Sequence, residues 1–248
     1  MKLKDKIVLV TGASGGIGSE ISNALGKAGA EVILVARKKN SLEKLKEKIV
    51  KEGGRAHYFE ADLTDEVSVK KLVLNVKKTC KKVDILFHSA GVGIYKKLPE
   101  ISFNEWNLSM DVNATSVFLL TKEMLPLMEK GERSLVIALG SGMGKIGVAG
   151  RSPYCASKFA LRGLMLSLAK EYKNKNIKFS LLTLGSVLTG FGPLSLEKKI
   201  EKSKKGKKYI EPAWLANHII SKIENDTLED ELPIYPPNYF EESKKGIT

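Results

Sequence analysis

The sequence predicts an α/β fold: a doubly wound parallel sheet in three layers, forming a single domain over residues 1–248. Three observations carry this. Short apolar runs alternate with amphipathic stretches of helical period along most of the chain. The first run ends in a glycine-rich turn that opens a helix. A length of 248 residues with 43% hydrophobic content suits one sizeable core.

The alternation is regular. KIVLV (6–10) precedes a helix from about Gly16 to Ala28, and EVILVA (31–36) precedes NSLEKLKEKIVKEG. AHYFEA precedes DEVSVKKLVLNVKKTC, and VDILFHS (83–89) precedes a long helical region at about 103–130. RSLVIALG (133–140) leads into the helix that holds YCASKFALRGLMLSLAKEY, and IKFSLLTL (177–184) leads into a loop. Runs that are apolar on both faces read as buried parallel strands. Six such units place the strand ends along one edge, where ligands bind. One segment breaks the rhythm. SLEKKIEKSKKGKKYIEP (195–212) carries seven lysines between 198 and 208. A helix can start there, but Gly206 and the charge density favour a mobile segment. It reads either as a solvated flap or as a substrate lid spanning about 188–212.

The formal charge is +13, from 41 Lys+Arg against 28 Asp+Glu. Most lysines alternate with glutamates on helical faces, the pattern of a solvated surface rather than a nucleic-acid stripe. An anionic substrate or cofactor fits the balance better. Cys80 and Cys155 make neither a disulfide framework nor a metal-ligand spacing, and His57, His88 and His218 are scattered, so no metal is expected. The opening MKLKDKIVLVTGASGG reads as a strand and a turn rather than a leader, and no run approaches the ~20 apolar residues of a membrane span. The expectation is a cytoplasmic protein.

The turn VLVTGASGGIG places Gly12, Gly16 and Gly18, with Ser14 and Ile17 among them, between strand and helix. Glycine allows the tight bend and lets backbone approach a pyrophosphate, which the helix N-terminus attracts. This is a Rossmann-type dinucleotide site. At the end of the second strand Ala36 is followed by Arg37 and Lys38, where a carboxylate would bind a ribose 2′-hydroxyl. A guanidinium there can fork onto a 2′-phosphate, so the cofactor expected is NADP(H). Asp62 follows the third strand, placed to accept from the adenine amino group.

Tyr154 lies four residues before Lys158, with Cys155, Ala156 and Ser157 between. Residues four apart share a helix face. A phenol titrates near ~10, and an adjacent ammonium lowers that value, making proton transfer accessible near neutrality. The small residues between the pair leave room for cofactor and substrate. Trp106 and Trp214 read as helix anchors, Cys155 as packing, and His88 as a satisfied structural residue.

Together these features resemble the short-chain dehydrogenase/reductase family over roughly residues 3–190. The matching stretches are TGASGGIG (11–18), DL (Asp62, Leu63), SAG (Ser89, Ala90, Gly91), Asn113 in MDVNATSVF, Ser141 in LGSGMGKIG, and YCASK (154–158). The resemblance implies a catalytic set of Asn113, Ser141, Tyr154 and Lys158. Ser141 would hold the substrate oxygen, Asn113 an ordered water, and Lys158 the nicotinamide ribose. It also implies contacts to the nicotinamide end from Gly185, Val187 and Thr189. The chain departs from the family pattern at Ser89, where asparagine is usual, at Leu184, where proline is usual, and in its ending ELPIYPPNYF.

The activity implied is NADP(H)-dependent interconversion of a small-molecule carbonyl, a ketone or 3-oxoacyl group, and a secondary alcohol. The alternative is a non-catalytic NADP-binding sensor or scaffold. Loops at 92–100, 142–152 and 186–210 would shape the substrate pocket. GVGIYKKLPE and the lysines favour an anionic or carrier-linked acyl substrate; Leu188, Phe191 and Leu194 favour a lipid-like ketone. Met143 also belongs among the candidate lining residues. Helices at about 107–130 and 154–172 are expected to pair chains into a homodimer or homotetramer.

Overall fold

Seven parallel strands form one sheet in the order β3-β2-β1-β4-β5-β6-β7. The structure is a computed structural model and describes residues 1–236. The strands are β1 (Ile7–Thr11), β2 (Glu31–Ala36), β3 (Arg55–Glu60), β4 (Ile85–His88), β5 (Ser134–Ser141), β6 (Ile177–Leu184) and β7 (Glu231–Ile234). Alternate residues enter opposite cores, as the pleat requires. Val8 and Val10 of β1 face one core and Leu9 faces the other.

The first core is closed by α1 (Gly16–Lys27), α2 (Lys39–Lys51) and α8 (Pro212–Glu224), through residues such as Ile21, Leu45 and Ile219. The second is closed by α3 (Glu66–Thr79), α5 (Ser116–Met128) and α6 (Ser152–Glu171), through Leu72, Met124 and Met165. This is the three-layer arrangement expected. The strand order reverses at β1, which lies between β2 and β4. A crevice opens beyond the strand ends at such a reversal.

Four sequence expectations need correction. β7 is a seventh strand, beyond the six expected. ELPI is short and contains Pro233, a poor strand signal; at the sheet edge the missing N–H costs nothing. The region at 103–130 is not one helix. It comprises α4 (Phe103–Met110), a π-helical turn (Asp111–Thr115) and α5. The lysine-rich segment is not irregular. It forms α7 (Leu196–Lys204), capped by the Ser195 hydroxyl accepting from Lys198 N–H. Glu197 in the first turn and Lys202 and Lys204 in the last suit the helix dipole, and Gly206, at φ +99°, ends the helix.

The two tryptophans are not buried anchors. Trp106 and Trp214 are both exposed, the latter stacked on His218 at 4.8 Å. The end of ELPIYPPNYF, from residue 237 on, lies outside the described residues.

Candidate functional site

The ends of β1, β2, β4, β5 and β6 open into one cleft of about 1130 Å3. Its floor begins at the first turn. Gly12 has φ +61°, and a Cβ there would sit 2.7 Å from the Ala90 backbone. A Cβ on Gly18 would sit 2.2 Å from Gly12 O. Both positions therefore require glycine, which lets α1 start hard against β1 and the loop after β4. Thr11 completes the joint. Its hydroxyl oxygen accepts from the N–H groups of Ser89 at 3.2 Å and Ala90 at 3.3 Å. The sequence reading misses Thr11, although it stands directly before Gly12 in LVTG.

The first turn of α1 has no side-chain cap and no acidic residue. Its unspent N–H groups and positive end face the cleft, a chemistry that fits the diphosphate of a dinucleotide. Arg37 and Lys38 line the rim beyond β2, with Ser41 beside them, another residue not singled out in the sequence. Asp62 lines the next stretch. The Thr64 N–H and hydroxyl both donate to its Oδ1, at 2.9 and 2.7 Å, and hold its carboxyl below the usual range, with the field of Arg37 adding to the effect.

Ser14, Gly16, Ile17, Leu63, Gly91, Ser141, Tyr154, Lys158, Gly185, Val187 and Thr189 also line this cleft. Of the expected site residues only Asn113 does not. It lies behind the wall, on the π-helical turn. Its Oδ1 accepts from Val92 N–H at 2.9 Å, and its Nδ2 donates to Val92 O at 2.8 Å and to Ser157 Oγ at 2.9 Å. The side-chain amide is spent on protein partners. It fixes the 91–92 loop against α6.

A family model described as short chain dehydrogenase matches residues 6–199. The chain belongs to the short-chain dehydrogenase/reductase family. Among its relatives, the 3-oxoacyl-[acyl-carrier-protein] reductase FabG of Salmonella typhimurium is 33% identical over 189 residues, covering 76% of each chain. An alcohol dehydrogenase from the archaeon Thermococcus sibiricus, solved with 5-hydroxy-NADP, superposes with TM-score 0.84 at 27% identity, over 93% of this chain and 96% of that one. A point variant of actinorhodin polyketide ketoreductase, solved with NADPH, gives TM-score 0.84 at 25% identity over the same shares.

Within this short-chain dehydrogenase fold, Tyr154 and Lys158 stand together on the wall that α6 presents. Lys158 Nζ lies 5.8 Å from the Tyr154 ring centroid and donates to Leu139 O at 2.9 Å. Burial opposes the expected electrostatics. Burial pushes the Tyr154 phenol up to about 12, against a downward pull from its hydrogen bond with Ser141. Burial also pushes the Lys158 ammonium down to about 8. The ammonium sits over the ring and is turned to a carbonyl. The phenol is thus an acid, protonated at neutral pH.

The small residues between the pair do not make the room for cofactor and substrate expected of them; they serve another purpose. None of Cys155, Ala156 and Ser157 lines the cleft. Ser157 is fully buried and meets Ser109 Oγ of α4 at 3.2 Å and Asn113 Nδ2. Small side chains here let α4 and the π-helical turn approach α6. His88 is structural, bonded to Thr121 Oγ1 at 3.0 Å and held neutral by burial, which lowers it to about 3.

Aromatic rings flank the phenol. Tyr95 lies 5.8 Å and Phe191 5.9 Å from the Tyr154 ring, centroid to centroid. Met143, Ile146, Val148 and Leu194 add apolar wall; Leu188 is absent from it. The departure at Leu184 leaves the following turn well held. Gly185 N–H donates to Ile234 O at 2.9 Å, and Leu188 N–H and Ile210 O pair at 2.9 Å.

Lys199 is unremarkable in the sequence, one lysine among seven. In α7 it alone is buried, and its Nζ donates to the carbonyls of Val187 at 3.3 Å, Thr189 at 2.9 Å and Phe191 at 2.5 Å. It latches α7 to the strap that carries these three lining residues. Lys199→Met is expected to cost about 1–3 kcal/mol of stability by orphaning these carbonyls. It should also speed proteolysis between 187 and 210. A variant as stable and as resistant as the parent would show that the latch bears no load.

Among the described residues no helix is long and apolar enough to cross a membrane.

Proposed function

We propose that this chain reduces a small-molecule carbonyl to a secondary alcohol with NADPH. The observation that carries the reading is the meeting, in one cleft, of Ser141, Tyr154 and Lys158 with the dinucleotide groove of the first turn. The dihydronicotinamide, when bound, supplies a hydride to the carbonyl carbon. Ser141, at the end of β5, donates a hydrogen bond to the substrate oxygen as negative charge develops on it. Tyr154 gives that oxygen its proton; a buried, protonated phenol suits this direction. Lys158 steadies the phenolate left behind and offers N–H donors to the ribose. Asn113 holds the wall opposite α6 in register. The strap and α7 act as the substrate lid, since Phe191, Leu194, Lys199, Lys207 and Lys208 all line the cleft.

The choice of NADPH over NADH rests on Arg37, which has no carboxylate within ion-pair distance among the described residues and lines the adenosine end of the cleft. The NADP-type ligands of the two structural relatives agree with it. Arg37→Ala is expected to weaken NADPH binding by roughly 10- to 100-fold, the worth of a charge-assisted fork. NADH binding should change little. Equal losses for the two dinucleotides, read by fluorescence titration, would remove the 2′-phosphate from the account. The enzymatic reading itself is tested with ketones and 3-oxoacyl thioesters by loss of NADPH absorbance. No turnover across such a panel would favour a sensor.

Self-association belongs to the same reading. α5 and α6 leave Phe118 and Phe159 exposed on their outer faces, which supports pairing of chains there. Sedimentation at a monomer's mass would argue against it.

A further inference from the structure

The chain has five arginines, at 37, 55, 133, 151 and 162. Three are paired with carboxylates: Arg55 with Asp5, Arg133 with Asp226, and Arg162 with Glu231. The other two, Arg37 and Arg151, have no carboxylate within ion-pair distance among the described residues. Both line the cleft. Arg37 is accounted for by the dinucleotide. Arg151 is not.

Arg151 immediately precedes α6, three residues ahead of Tyr154. Arg151 is the N-cap residue, just outside the helix, and its side chain and the Tyr154 phenol line the same cleft. Two contacts orient the side chain. Its Nη1 donates to Met143 Sδ at 3.6 Å, and its Cζ lies 5.7 Å from the Tyr95 ring centroid. A thioether is a weak acceptor and a ring face accepts no conventional hydrogen bond, so most of the guanidinium's donors stay available. The aromatic wall then continues from Tyr95 to Tyr154 and Phe191 at 5.8 and 5.9 Å. The field of Arg151 also reaches both phenols, opposing the rise that burial causes in each.

We propose that Arg151 anchors the carboxylate of an oxo-acid substrate, whose ketone oxygen meets Tyr154 and whose carbon skeleton stacks along Tyr95 and Phe191. The proposal rests on the oxidoreductase reading above and narrows its substrate class. The carboxylate is unchanged in the reaction. The ketone carbon gains a hydride from the dihydronicotinamide, the oxygen gains a proton through Tyr154, and NADP+ and a hydroxy acid leave. One guanidinium, set against a thioether and a ring, balances a single charge. That favours a carboxylate over a doubly charged phosphate, although both offer the forked oxygens that a guanidinium binds.

The test reads binding, by calorimetry on the NADP+-bound chain, and separately NADPH consumption with the same ligands. Benzoylpropionate is compared with its methyl ester, and acetoacetyl-coenzyme A with the acetoacetyl thioester of N-acetylcysteamine. Benzoylpropionate is expected to bind at least about 10-fold more tightly than its ester. Arg151→Met should equalise the two while leaving NADP+ affinity and melting temperature in place, and Arg151→Lys should keep part of the preference. Equal binding of acid and ester in the parent chain would overturn the proposal. So would a preference that survives Arg151→Met, or an Arg151-dependent preference confined to the coenzyme A pair, which would assign the guanidinium to a phosphate. Turnover of the neutral ester without any acid preference would sink this inference alone. Binding of the acid through Arg151 with no ketone reduced would sink the oxidoreductase reading and leave the anion site standing.

Discussion

Tyr154→Phe is expected to lower ketone reduction by roughly 10²–10⁴-fold while NADPH still binds, the range that a positioned general acid contributes. The substitution removes one hydroxyl from a side chain that is 7% exposed and flanked by Tyr95 and Phe191, so its ring packing survives. What disappears is a proton donor whose titration, at about 12, keeps it protonated through the neutral range and whose hydroxyl also meets Ser141. Steady-state kinetics with a titrated NADPH affinity separates the two effects. A fall confined to KM would place Tyr154 in binding, and unchanged turnover would remove it from the chemistry.

Lys158→Met is expected to abolish most turnover and yet stabilise the fold. Lys158 is 5% exposed, and its titration falls from the ordinary lysine value of 10.5 to about 8 through burial alone. At pH 7 the native state therefore carries a desolvated charge, at a cost on the order of 3 kcal/mol. The hydrogen bond to Leu139 O returns about 1 kcal/mol of this. A methionine of similar length carries no charge, so the variant should gain about 2 kcal/mol, or roughly 4–8 °C in melting temperature. The pH dependence has a definite sign. Between pH 8 and 10.5 the native lysine has released a proton that the unfolded chain still holds, so the parent becomes more stable as pH rises through this window. The variant's advantage is full below about 8 and shrinks above it. Reduction by the parent should weaken over the same rise, as the ammonium is lost. Thermal melts across this range check the claim; a variant less stable than the parent at pH 7, or an advantage independent of pH, would show that Lys158 is well solvated.

Much of this is legible in the sequence where one physical requirement dominates a position. β1, β2, β4, β5 and β6 are largely apolar on both faces, and a parallel sheet covered on both sides demands that pattern. Gly12 and Gly18 report close backbone contact, which no other residue tolerates. Tyr154 and Lys158 share a face because helical spacing makes them do so. The rest depends on neighbours far away in the chain. β7 is too short and too interrupted by Pro233 to read alone; it exists because β6 offers it an edge. α7 is masked by its charge, although Ser195, Glu197 and Gly206 are ordinary signals for a helix start and stop. The inward turn of Lys199 has no local signal, since three carbonyls between residues 187 and 191 create it. Asn113 and Ser157 show the same limit. Their types are visible, but their partners, and hence their function as packing joints, follow from how α4 meets α6. The phenol–ammonium balance is legible in part. Spacing predicts attraction, whereas the depth of burial, which pulls the other way, follows from the fold.

The central claim is that hydride and proton reach one carbonyl in this cleft, the proton by way of Tyr154. It is tested most directly by incubating the chain with NADPH deuterated at the transferable C4 position and a ketone, and weighing the alcohol formed. The account predicts one deuterium on the carbinol carbon from the parent chain, and roughly 10²–10⁴-fold less labelled alcohol from Tyr154→Phe under the same exposure. Alcohol without deuterium, or undiminished labelled alcohol from the Tyr154→Phe chain, would contradict it.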